Sequence, residues 1–390
     1  MSNTTNNPAW LEWMTTLMGD ASQAELSHAG SSHDELSREG ASRSTYAATL
    51  PPDLFYCLLD ELPLHLIPRH AFKSLRLQEL QQLQGLEELQ GPNENDQQPL
   101  YLNPDCIFCT DGQLPEELES RREQFSGFAL QGTMAWVRNA ATGNLLPFWL
   151  GPRLEGVARS LRLNEAVPTS ASDGAPSSLP RKAQRLVAAS ILLPENQIGQ
   201  RERERAERIA KASALFREQG YAPLGGLIHP FHIAALRRYY RYLIRSGAIR
   251  LGDGQSPRRY VAHNEPVARF FHQDIAATLS AVAGESLKPS YVYMASYLSG
   301  AELKKHTDRA QCEFSVTLCL DFSPEPALET PWPICLDAPT GKVTAYQALG
   351  DGLAYRGTRL PHYRDALSDG QTSTSVFFHY VAADFSGPLD

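Results

Sequence analysis

The spacing of hydrophobic residues changes along the chain and separates a helical part from a strand-rich part. Between residues 230 and 284, apolar side chains recur every three or four positions, which places them on one face of a helix. Two such faces are each followed by a glycine: Leu236, Tyr240 and Leu243 before Gly247, and Phe271, Ile275, Leu279 and Val282 before Gly284. Glycine is the preferred residue for a left-handed helix C-cap. We therefore predict amphipathic helices that end near Gly247 and Gly284.

Beyond Gly284 the helical period is lost, and short apolar runs alternate with turn residues. These runs lie at 290–298, 314–322, 343–346, 352–355 and 374–381. Their length and spacing are typical of β-strands. A series of helices followed by a series of short strands predicts an α+β protein in which helices pack against a β-sandwich or jelly roll.

The N-terminal half contains two polar segments and one globular stretch. Residues 19–44 are rich in Ser, Ala, Glu and Gly and have too few apolar side chains to offset the entropy of ordering. Residues 125–150 alternate like two strands joined by a turn, and residues 167–180 have the Ser, Pro and Gly content of a linker. We predict four segments: a flexible arm at 1–48, a smaller α+β module of unknown role at 49–165, a linker or long loop at 166–182, and a C-terminal domain at 183–390.

Composition and charge exclude several classes of protein. The chain has 390 residues, which is enough for two domains with sizeable cores. With 42% hydrophobic and 21% charged residues, it is neither globally disordered nor a fibrous rod. A net charge of -8 argues against a protein that coats nucleic acid, and we predict no nucleic-acid partner. The charged run at 201–211 places opposite signs three and four residues apart, which is typical of a solvated helix face.

Cysteine content and hydropathy bear on the cellular location. Six cysteines in a chain of this length do not form a disulfide framework, which favours a reducing compartment. Cys106 and Cys109 form a lone CxxC without a second pair at zinc-site spacing, so we interpret them as two ordinary buried thiols. The first twenty residues lack a basic segment followed by an unbroken apolar core, and no stretch offers about 20 apolar residues. We predict a soluble cytoplasmic protein with no membrane partner.

The candidate chemistry begins at His306 and Asp308. On an extended chain, side chains two positions apart point to the same face, so the imidazole and the carboxylate can reach one point. His362, which follows a later strand-like segment, is a candidate third ligand. Two histidines and one carboxylate are the facial triad that holds Fe(II) and leaves coordination positions open. The His-x-Asp pair alone is weak evidence, because a surface histidine beside an aspartate is usually a solvated or capping pair.

The order of the surrounding elements resembles that of a known family. The elements are, in sequence, Tyr297, Gly300, His306-Thr307-Asp308, the strand at 314–322, Leu349-Gly350-Asp351-Gly352, Tyr355-Arg356-Gly357 and His362-Tyr363-Arg364. Over residues 212–384 the chain resembles the prolyl-hydroxylase-like 2-oxoglutarate- and Fe(II)-dependent oxygenases. The resemblance implies that the C-terminal domain is a double-stranded β-helix, a cupin-like jelly roll, buttressed by helices.

The resemblance also implies an activity and its cofactors. His306, Asp308 and His362 would be the catalytic residues that ligate Fe(II). 2-Oxoglutarate would chelate the metal, and O2 would convert it to succinate and CO2 while an unactivated C–H bond of a peptide, carrier-bound or natural-product substrate is hydroxylated. Ascorbate is a candidate reductant. Asp308 favours hydroxylation over halogenation, because halogenating relatives lack the metal carboxylate.

The residue that binds the C5 carboxylate of 2-oxoglutarate departs from the family pattern. Many relatives place a basic residue about ten positions after the second histidine, but residues 371–375 read Gln-Thr-Ser-Thr-Ser. Arg364 is the replacement that we predict, because a guanidinium binds a carboxylate through two hydrogen bonds. The weaker candidates are Arg309, Arg356 and Arg359. An alternative interpretation pairs Arg364 with Asp365 or Asp369 on a surface loop.

Tyr297 is the second predicted co-substrate residue, because it stands just before the glycine turn. A row of tyrosines on a strand is more often packing, which is the alternative for Tyr291 and Tyr293. We interpret His229, His232, His263 and His272 as packing or surface histidines and His379 as a satisfied core histidine. Arg258, Arg259 and residues 263–265 could form a substrate-facing loop.

Two other functions remain open at the level of sequence. The missing base at 371–375 is compatible with a non-catalytic cupin-like metal-binding or interaction module. The triad is also compatible with an oxygenase that uses a co-substrate other than 2-oxoglutarate. The N-terminal module could hold a bulky substrate or form a homo-oligomer.

Overall fold

The computed structural model describes residues 50–75, 99–163, 165–167, 181–197 and 200–390. The predicted arm at 1–48 lies outside the described residues, as does most of the predicted linker at 166–182. Among the described helices, none combines the length and the apolar character that a membrane span requires.

Most strands of the C-terminal part follow its helices, as the sequence predicts, although three short strands at Tyr221–Leu224, Arg250–Leu251 and Arg259–His263 lie between the helices. The described helices are α1 Ala71–Ser74, α2 Glu116–Glu119, α3 Pro152–Ser160, α4 Arg181–Ala188, α5 Gln200–Gln219, α6 Pro230–Arg245 and α7 Pro266–Ala283. The strands before residue 225 are β1 Leu100–Leu102, β2 Ile107–Thr110, β3 Thr133–Arg138, β4 Leu145–Leu150, β5 Leu192–Pro194 and β6 Tyr221–Leu224. The strands after it are β7 Arg250–Leu251, β8 Arg259–His263, β9 Leu287–Tyr297, β10 Leu303–His306, β11 Phe314–Ser323, β12 Ile334–Ala338, β13 Gly341–Ala345, β14 Gly352–Arg356, β15 His362–Arg364 and β16 Thr372–Ala382.

Two antiparallel sheets form the C-terminal part of the protein. The larger sheet has seven strands in the order β6-β14-β11-β16-β9-β8-β7, and the smaller has four in the order β10-β15-β12-β13. Leu336 of the smaller sheet shares a hydrophobic cluster with Leu353 and Tyr355 of the larger one. The sheets therefore pack face to face, as the sequence predicts for a sandwich or jelly roll.

Helices α5, α6 and α7 cover the other face of the larger sheet. Strand β11 shows the division, because Val316 and Leu318 belong to the helical-layer core whereas their neighbours Ser315 and Thr317 point to the opposite face, between the two sheets. This alternation provides polar side chains inside the sandwich.

The glycines end the helices as predicted. Gly284 is the C-cap of α7 with a φ of 76°, and its backbone N–H donates to the Ser280 carbonyl. Gly247 also has a φ of 76° and follows the C-cap of α6. At its start, α7 is capped by Glu265, whose carboxylate accepts from the N–H groups of Val267 and Ala268.

The N-terminal module packs on α6 and α7. Its strands form the sheet β2-β3-β4, which includes the predicted pair of strands within 125–150. The Phe55 ring lies 6.0 Å from the Tyr239 ring and 6.1 Å from the Phe271 ring, so apolar residues of the module and of the helices share one core. The module is thus separated from the interior of the sandwich by the helical layer.

The chain returns to the N-terminal module after the predicted linker. Strand β5 pairs with β1, although β1 precedes the segment at 166–182 and β5 follows it. The division at that segment stays a prediction. Helix α5, which contains the charged run, is mostly exposed as predicted, and Arg208 donates to the Ala140 carbonyl of the module.

Candidate metal and co-substrate site

His306, Asp308 and His362 meet between the two sheets. Strands β10 and β15 are antiparallel neighbours in which His306 and His362 are directly opposite. The Nε2 atoms of both histidines lie 3.5 Å from Oδ1 of Asp308. One potential ligand atom from each residue lies within 4.8 Å of the other two. The structure therefore brings together the three residues that the sequence singles out.

Both imidazoles are oriented by the same kind of backbone contact. Nδ1 of His306 lies 2.7 Å from the Lys304 carbonyl, and Nδ1 of His362 lies 3.0 Å from the Leu360 carbonyl. Since a carbonyl only accepts, each Nδ1 carries a proton and donates. In the neutral imidazole the lone pair is then on Nε2, the atom that faces Asp308. This tautomer is the one that a metal requires at Nε2.

Asp308 is held against a glycine. Its backbone N–H donates to the Gly357 carbonyl at 2.8 Å. A Cβ atom on Gly357 would lie 2.3 Å from Oδ2 of Asp308 and 2.4 Å from the Cys312 carbonyl, so only glycine fits there. Burial alone would raise the pKa of Asp308, but the adjacent imidazoles of His306 and His362 hold that pKa well below its usual range. The group is therefore a carboxylate, as a metal ligand must be.

Arg364 is buried beside the metal-site candidates. It follows His362 by two residues on β15, so both side chains point to the interior, and only 4% of Arg364 is exposed. Nη1 donates to the Trp332 carbonyl at 2.5 Å, and Nη2 donates to Oε1 of Gln347 at 3.1 Å. Nε is buried without a partner. The alternative in which Arg364 pairs with Asp365 or Asp369 on a surface loop is therefore wrong.

The charge of Arg364 is uncompensated. Its two hydrogen-bond acceptors are neutral, and no carboxylate from the described parts of the chain forms an ion pair with it. Burial lowers the pKa of this guanidinium. A second interior arginine, Arg259, differs in this respect, because Nε and Nη2 both donate to Asp253 at 3.1 and 2.5 Å.

Tyr297 links the two arginines. Its hydroxyl accepts from Nη1 of Arg259 at 3.3 Å, and its ring packs edge-on against Trp332 at 5.1 Å. The guanidinium of Arg364 lies over the face of the same indole, with its Cζ atom 4.8 Å from the ring centroid. Tyr297 is only 1% exposed, and burial raises the pKa of its phenol. Tyr297 thus lies in one continuous cluster with Arg364.

Gln347 adjoins Arg364 in this cluster and contacts Thr317, although no sequence motif predicts Gln347 or Thr317. Gln347 Nε2 donates to the Thr317 carbonyl at 3.0 Å, while its Oε1 accepts from Arg364. Oγ1 of Thr317 is fully buried and has no partner. The only sequence signal for Thr317 is its strand parity with Ser315. Thr374, which lies in the segment 371–375, donates its hydroxyl to Ser296 at 2.9 Å.

The weaker anchor candidates lie elsewhere. Arg309 is exposed and stacks on the Tyr291 ring at 4.7 Å. Arg356 pairs with Glu285 at 3.5 Å, and Arg359 is exposed. Among the four arginines considered from the sequence, only Arg364 is buried in the cluster around Trp332.

The other histidines considered from the sequence have backbone or side-chain partners. Of the CxxC pair, Cys109 is buried whereas Cys106 is half-buried, which corrects the prediction of two buried thiols. Three histidines are bound through Nε2 to a backbone carbonyl: His229 to Ala188, His232 to Pro147 and His272 to His379. Burial lowers their pKa values to about 4, 3 and 3 respectively. His263 is partly exposed beside Asp390, and His379 is a buried histidine bonded to Ser315. Within the described residues, the possible metal-ligand groups all contain Asp308, and neither Cys106 nor Cys109 belongs to one.

Comparison with solved structures found partial similarities, each of which spans less than half of the chain. The epimerase SnoN from nogalamycin biosynthesis, described as non-heme and α-ketoglutarate-dependent, is 16% identical, with a TM-score of 0.39 over 46% of this chain and 82% of that chain. A Pseudomonas putida prolyl-4-hydroxylase is 16% identical, with a TM-score of 0.37 over 44% of this chain and 98% of that chain. HygX from Streptomyces hygroscopicus, solved with nickel, 2-oxoglutarate and hygromycin B, is 12% identical, with a TM-score of 0.37 over 45% and 88%.

These likenesses cover less than half of this chain, and no protein-family model or curated protein matches the sequence. A function for this chain must therefore rest on its own residues.

Proposed function

We propose that this protein is a 2-oxoglutarate- and Fe(II)-dependent dioxygenase whose two C-terminal sheets form a double-stranded β-helix. His306, Asp308 and His362 would hold Fe(II). The observation that carries the proposal is the buried guanidinium of Arg364, which lies without a counter-charge two residues after a metal-ligand candidate. A metal triad alone fits many functions, whereas this pair of features fits a metal-chelating dicarboxylate.

The buried arginine would bind the second carboxylate of the co-substrate, the one that does not chelate the metal. An unpaired charge inside a protein costs several kcal/mol, and a bound anion would remove that cost. A carboxylate is planar and matches the guanidinium fork. The unpartnered Nε of Arg364 and Oγ1 of Thr317 are both free to donate to it. The residues present therefore fit 2-oxoglutarate even though residues 371–375 contain no base.

The protein supplies the positions and the surroundings of the reaction. When bound, Fe(II) with 2-oxoglutarate and O2 supplies the oxidation of an unactivated C–H bond, with release of succinate and CO2. His306, Asp308 and His362 would together hold the metal and would leave coordination positions open to the co-substrates. Arg364, Tyr297 and Thr317 orient the dicarboxylate, and the apolar cluster around Trp332 excludes water from it.

The proposed substrate is a peptide, carrier-bound molecule or natural product that undergoes hydroxylation. SnoN and HygX were solved with natural products, which is compatible with this class. The described N-terminal module packs behind the helical layer, so we assign it the support of that layer. Dimerisation through the module remains a proposal. We also propose a cytoplasmic location, because all six cysteines are free thiols.

Anaerobic addition of Fe(II) and 2-oxoglutarate tests the proposal. The wild-type protein should develop the weak visible charge-transfer band of the chelate, and His306→Ala or Asp308→Ala should abolish it. His70→Ala is the matched control, because His70 is exposed and belongs to no metal-ligand group. Aerobic incubation should then release succinate.

The same assay separates the two alternatives. Metal binding without the band and without succinate would support the non-catalytic cupin-like module and contradict the proposal. Oxygen uptake that is equal with and without 2-oxoglutarate would support a different co-substrate and would likewise contradict it.

A further inference from the structure

The two oxygens of Asp308 have different surroundings. Oδ1 lies 3.5 Å from Nε2 of both His306 and His362. Oδ2 points away from them and accepts from the Ser315 hydroxyl at 3.1 Å. Gly357 packs closely against Oδ2, since a Cβ atom on this residue would lie 2.3 Å from that oxygen. Only Oδ1 therefore faces the position that a metal would take.

Ser315 is itself fixed by a histidine on the adjacent strand. Ser315 on β11 pairs directly with His379 on β16, and Oγ of the serine lies 2.8 Å from Nδ1 of the histidine. A carboxylate accepts only, so the single hydroxyl proton goes to Asp308, and Nδ1–H of His379 donates to the serine. The Cys312 carbonyl, at 3.3 Å from the same hydroxyl, is a more distant and neutral acceptor.

His379 has little freedom to move. It lies on a central strand of the larger sheet, and its ring packs against Tyr291 at 4.7 Å. Its carbonyl accepts from Nε2 of His272 at 2.7 Å. Only 7% of the residue is exposed. The chain of contacts from His379 through Ser315 to Asp308 is thus anchored in the rigid centre of the sheet.

We propose that Ser315 and His379 are positioning residues that reserve Oδ2 of Asp308, so that this ligand binds the metal through Oδ1 alone. The inference rests on the proposed metal site and extends it. A carboxylate that is held at one oxygen cannot rotate to chelate the metal, which keeps coordination positions free for co-substrates. Loss of a partner that orients a metal ligand typically weakens metal affinity about 10- to 100-fold.

The same contacts argue against a second metal beside the first. Asp308, Cys312 and His379 also bring potential ligand atoms within 4.8 Å of one another. However, Ser315 already binds both Oδ2 of Asp308 and Nδ1 of His379, and the Cys312 sulfur lies 2.9 Å from the Tyr291 hydroxyl. We therefore expect one metal ion per chain.

Anaerobic titration with Co(II) alone, followed by visible absorption, tests the inference without any turnover. Ser315→Ala should raise the Co(II) dissociation constant about 10- to 100-fold, and Ser315→Thr, which retains a hydroxyl, should restore affinity to within about threefold. Ser296→Ala is the matched control, because it removes another buried serine hydroxyl on the opposite face of the sheet. His379→Asn retains an N–H group and should bind Co(II) more tightly than His379→Ala.

Each outcome has one interpretation. If the wild type does not bind Co(II), the proposed metal site is wrong. If the wild type binds Co(II) and Ser315→Ala binds it equally well, the role of Ser315 is wrong while the metal site stands. Should Ser315→Ala fail to fold, the comparison of His379→Asn with His379→Ala decides, and equal affinities overturn the inference. Two Co(II) ions per chain, with an absorption that Cys312→Ser removes, would also overturn it.

Discussion

His362 and Arg364 occupy alternate positions of strand β15 and send their side chains to the same interior face of the sandwich. One is a metal-ligand candidate and the other is an uncompensated buried cation. The distance between alternate side chains on a strand is about 7 Å, which suits a short dicarboxylate that chelates a metal at one end. A single three-residue strand would thus contact both ends of the proposed co-substrate.

Replacement of Arg364 should separate co-substrate binding from metal binding. In Arg364→Gln, the 2-oxoglutarate dissociation constant should rise about 30-fold, equivalent to ~2 kcal/mol for the loss of a charged hydrogen-bond partner. Co(II) affinity should change little, because Arg364 does not contact the triad. The measurement is a 2-oxoglutarate titration of the anaerobic Fe(II) band. Arg356→Gln, outside the interior, should titrate like the wild type, and equal constants in both variants would contradict the role of Arg364.

The phenol of Tyr297 should contribute a smaller part of co-substrate affinity. Tyr297→Phe keeps the ring against Trp332 but removes the hydroxyl that contacts Arg259. We expect KM for 2-oxoglutarate to rise about fivefold, since a neutral hydrogen bond contributes about 1 kcal/mol. Initial rates of succinate release at several 2-oxoglutarate concentrations provide the measurement. Tyr56→Phe is the control, and an unchanged KM in Tyr297→Phe would assign Tyr297 to packing alone.

Local features of the sequence predicted which residues meet as metal-ligand candidates and where the helices end. His306 and Asp308 are two residues apart, so their spacing in the sequence already predicts that they meet. A glycine with positive φ follows each amphipathic helix, so the helix ends are also visible from neighbouring residues. Arg364 emerged from the sequence because the usual base was missing at 371–375. Its burial, in contrast, depends on Trp332 and Gln347, which come from separate loops.

Contacts between distant segments could not be predicted. Trp332 and Gln347 contact Arg364, and Gln347 contacts Thr317, only because the two sheets fold over one another. Strand β5 is three residues long and pairs with β1 across about ninety residues, which no local pattern encodes. No sequence motif contains Ser315 or His379. Their pairing depends on the register of β11 with β16, which places them directly opposite each other.

Gly357 should be required for metal binding because of its contact with Asp308. In Gly357→Ala the new Cβ would lie 2.3 Å from Oδ2, so the carboxylate must leave the position in which Oδ1 faces the two histidines. We expect the Co(II) dissociation constant to rise at least about 100-fold, as expected when a metal ligand and its support are both displaced. Gly156→Ala is the control: that glycine lies in helix α3 with open space around it, and alanine should raise stability by about 0.5–1 kcal/mol. Normal Co(II) affinity in Gly357→Ala would contradict this contact.

Asp274 should make the stability of the protein depend on pH. Its carboxyl lies on α7, accepts from Thr142 of the β3–β4 turn at 3.2 Å and is 2% exposed. Burial raises the pKa of Asp274 to about 7, only partly opposed by the hydrogen bond from Thr142. The native state therefore keeps a proton that the unfolded chain has lost above about pH 4. Stability from this group is fully present below that pH and falls as pH rises towards 7, by as much as about 1.4 kcal/mol per unit.

Replacement by asparagine isolates this effect from other titrating groups. Asp274→Asn keeps a polar side chain beside Thr142 but removes the charge, so the variant should gain stability relative to wild type as pH rises from 5 to 8. Urea unfolding at several pH values measures the difference in unfolding free energy. Asp384→Asn, at an exposed position, should show a difference that does not change with pH. If the Asp274→Asn difference were also constant, the carboxyl would ionise with an ordinary pKa, and the contact between α7 and the β3–β4 turn would not respond to pH.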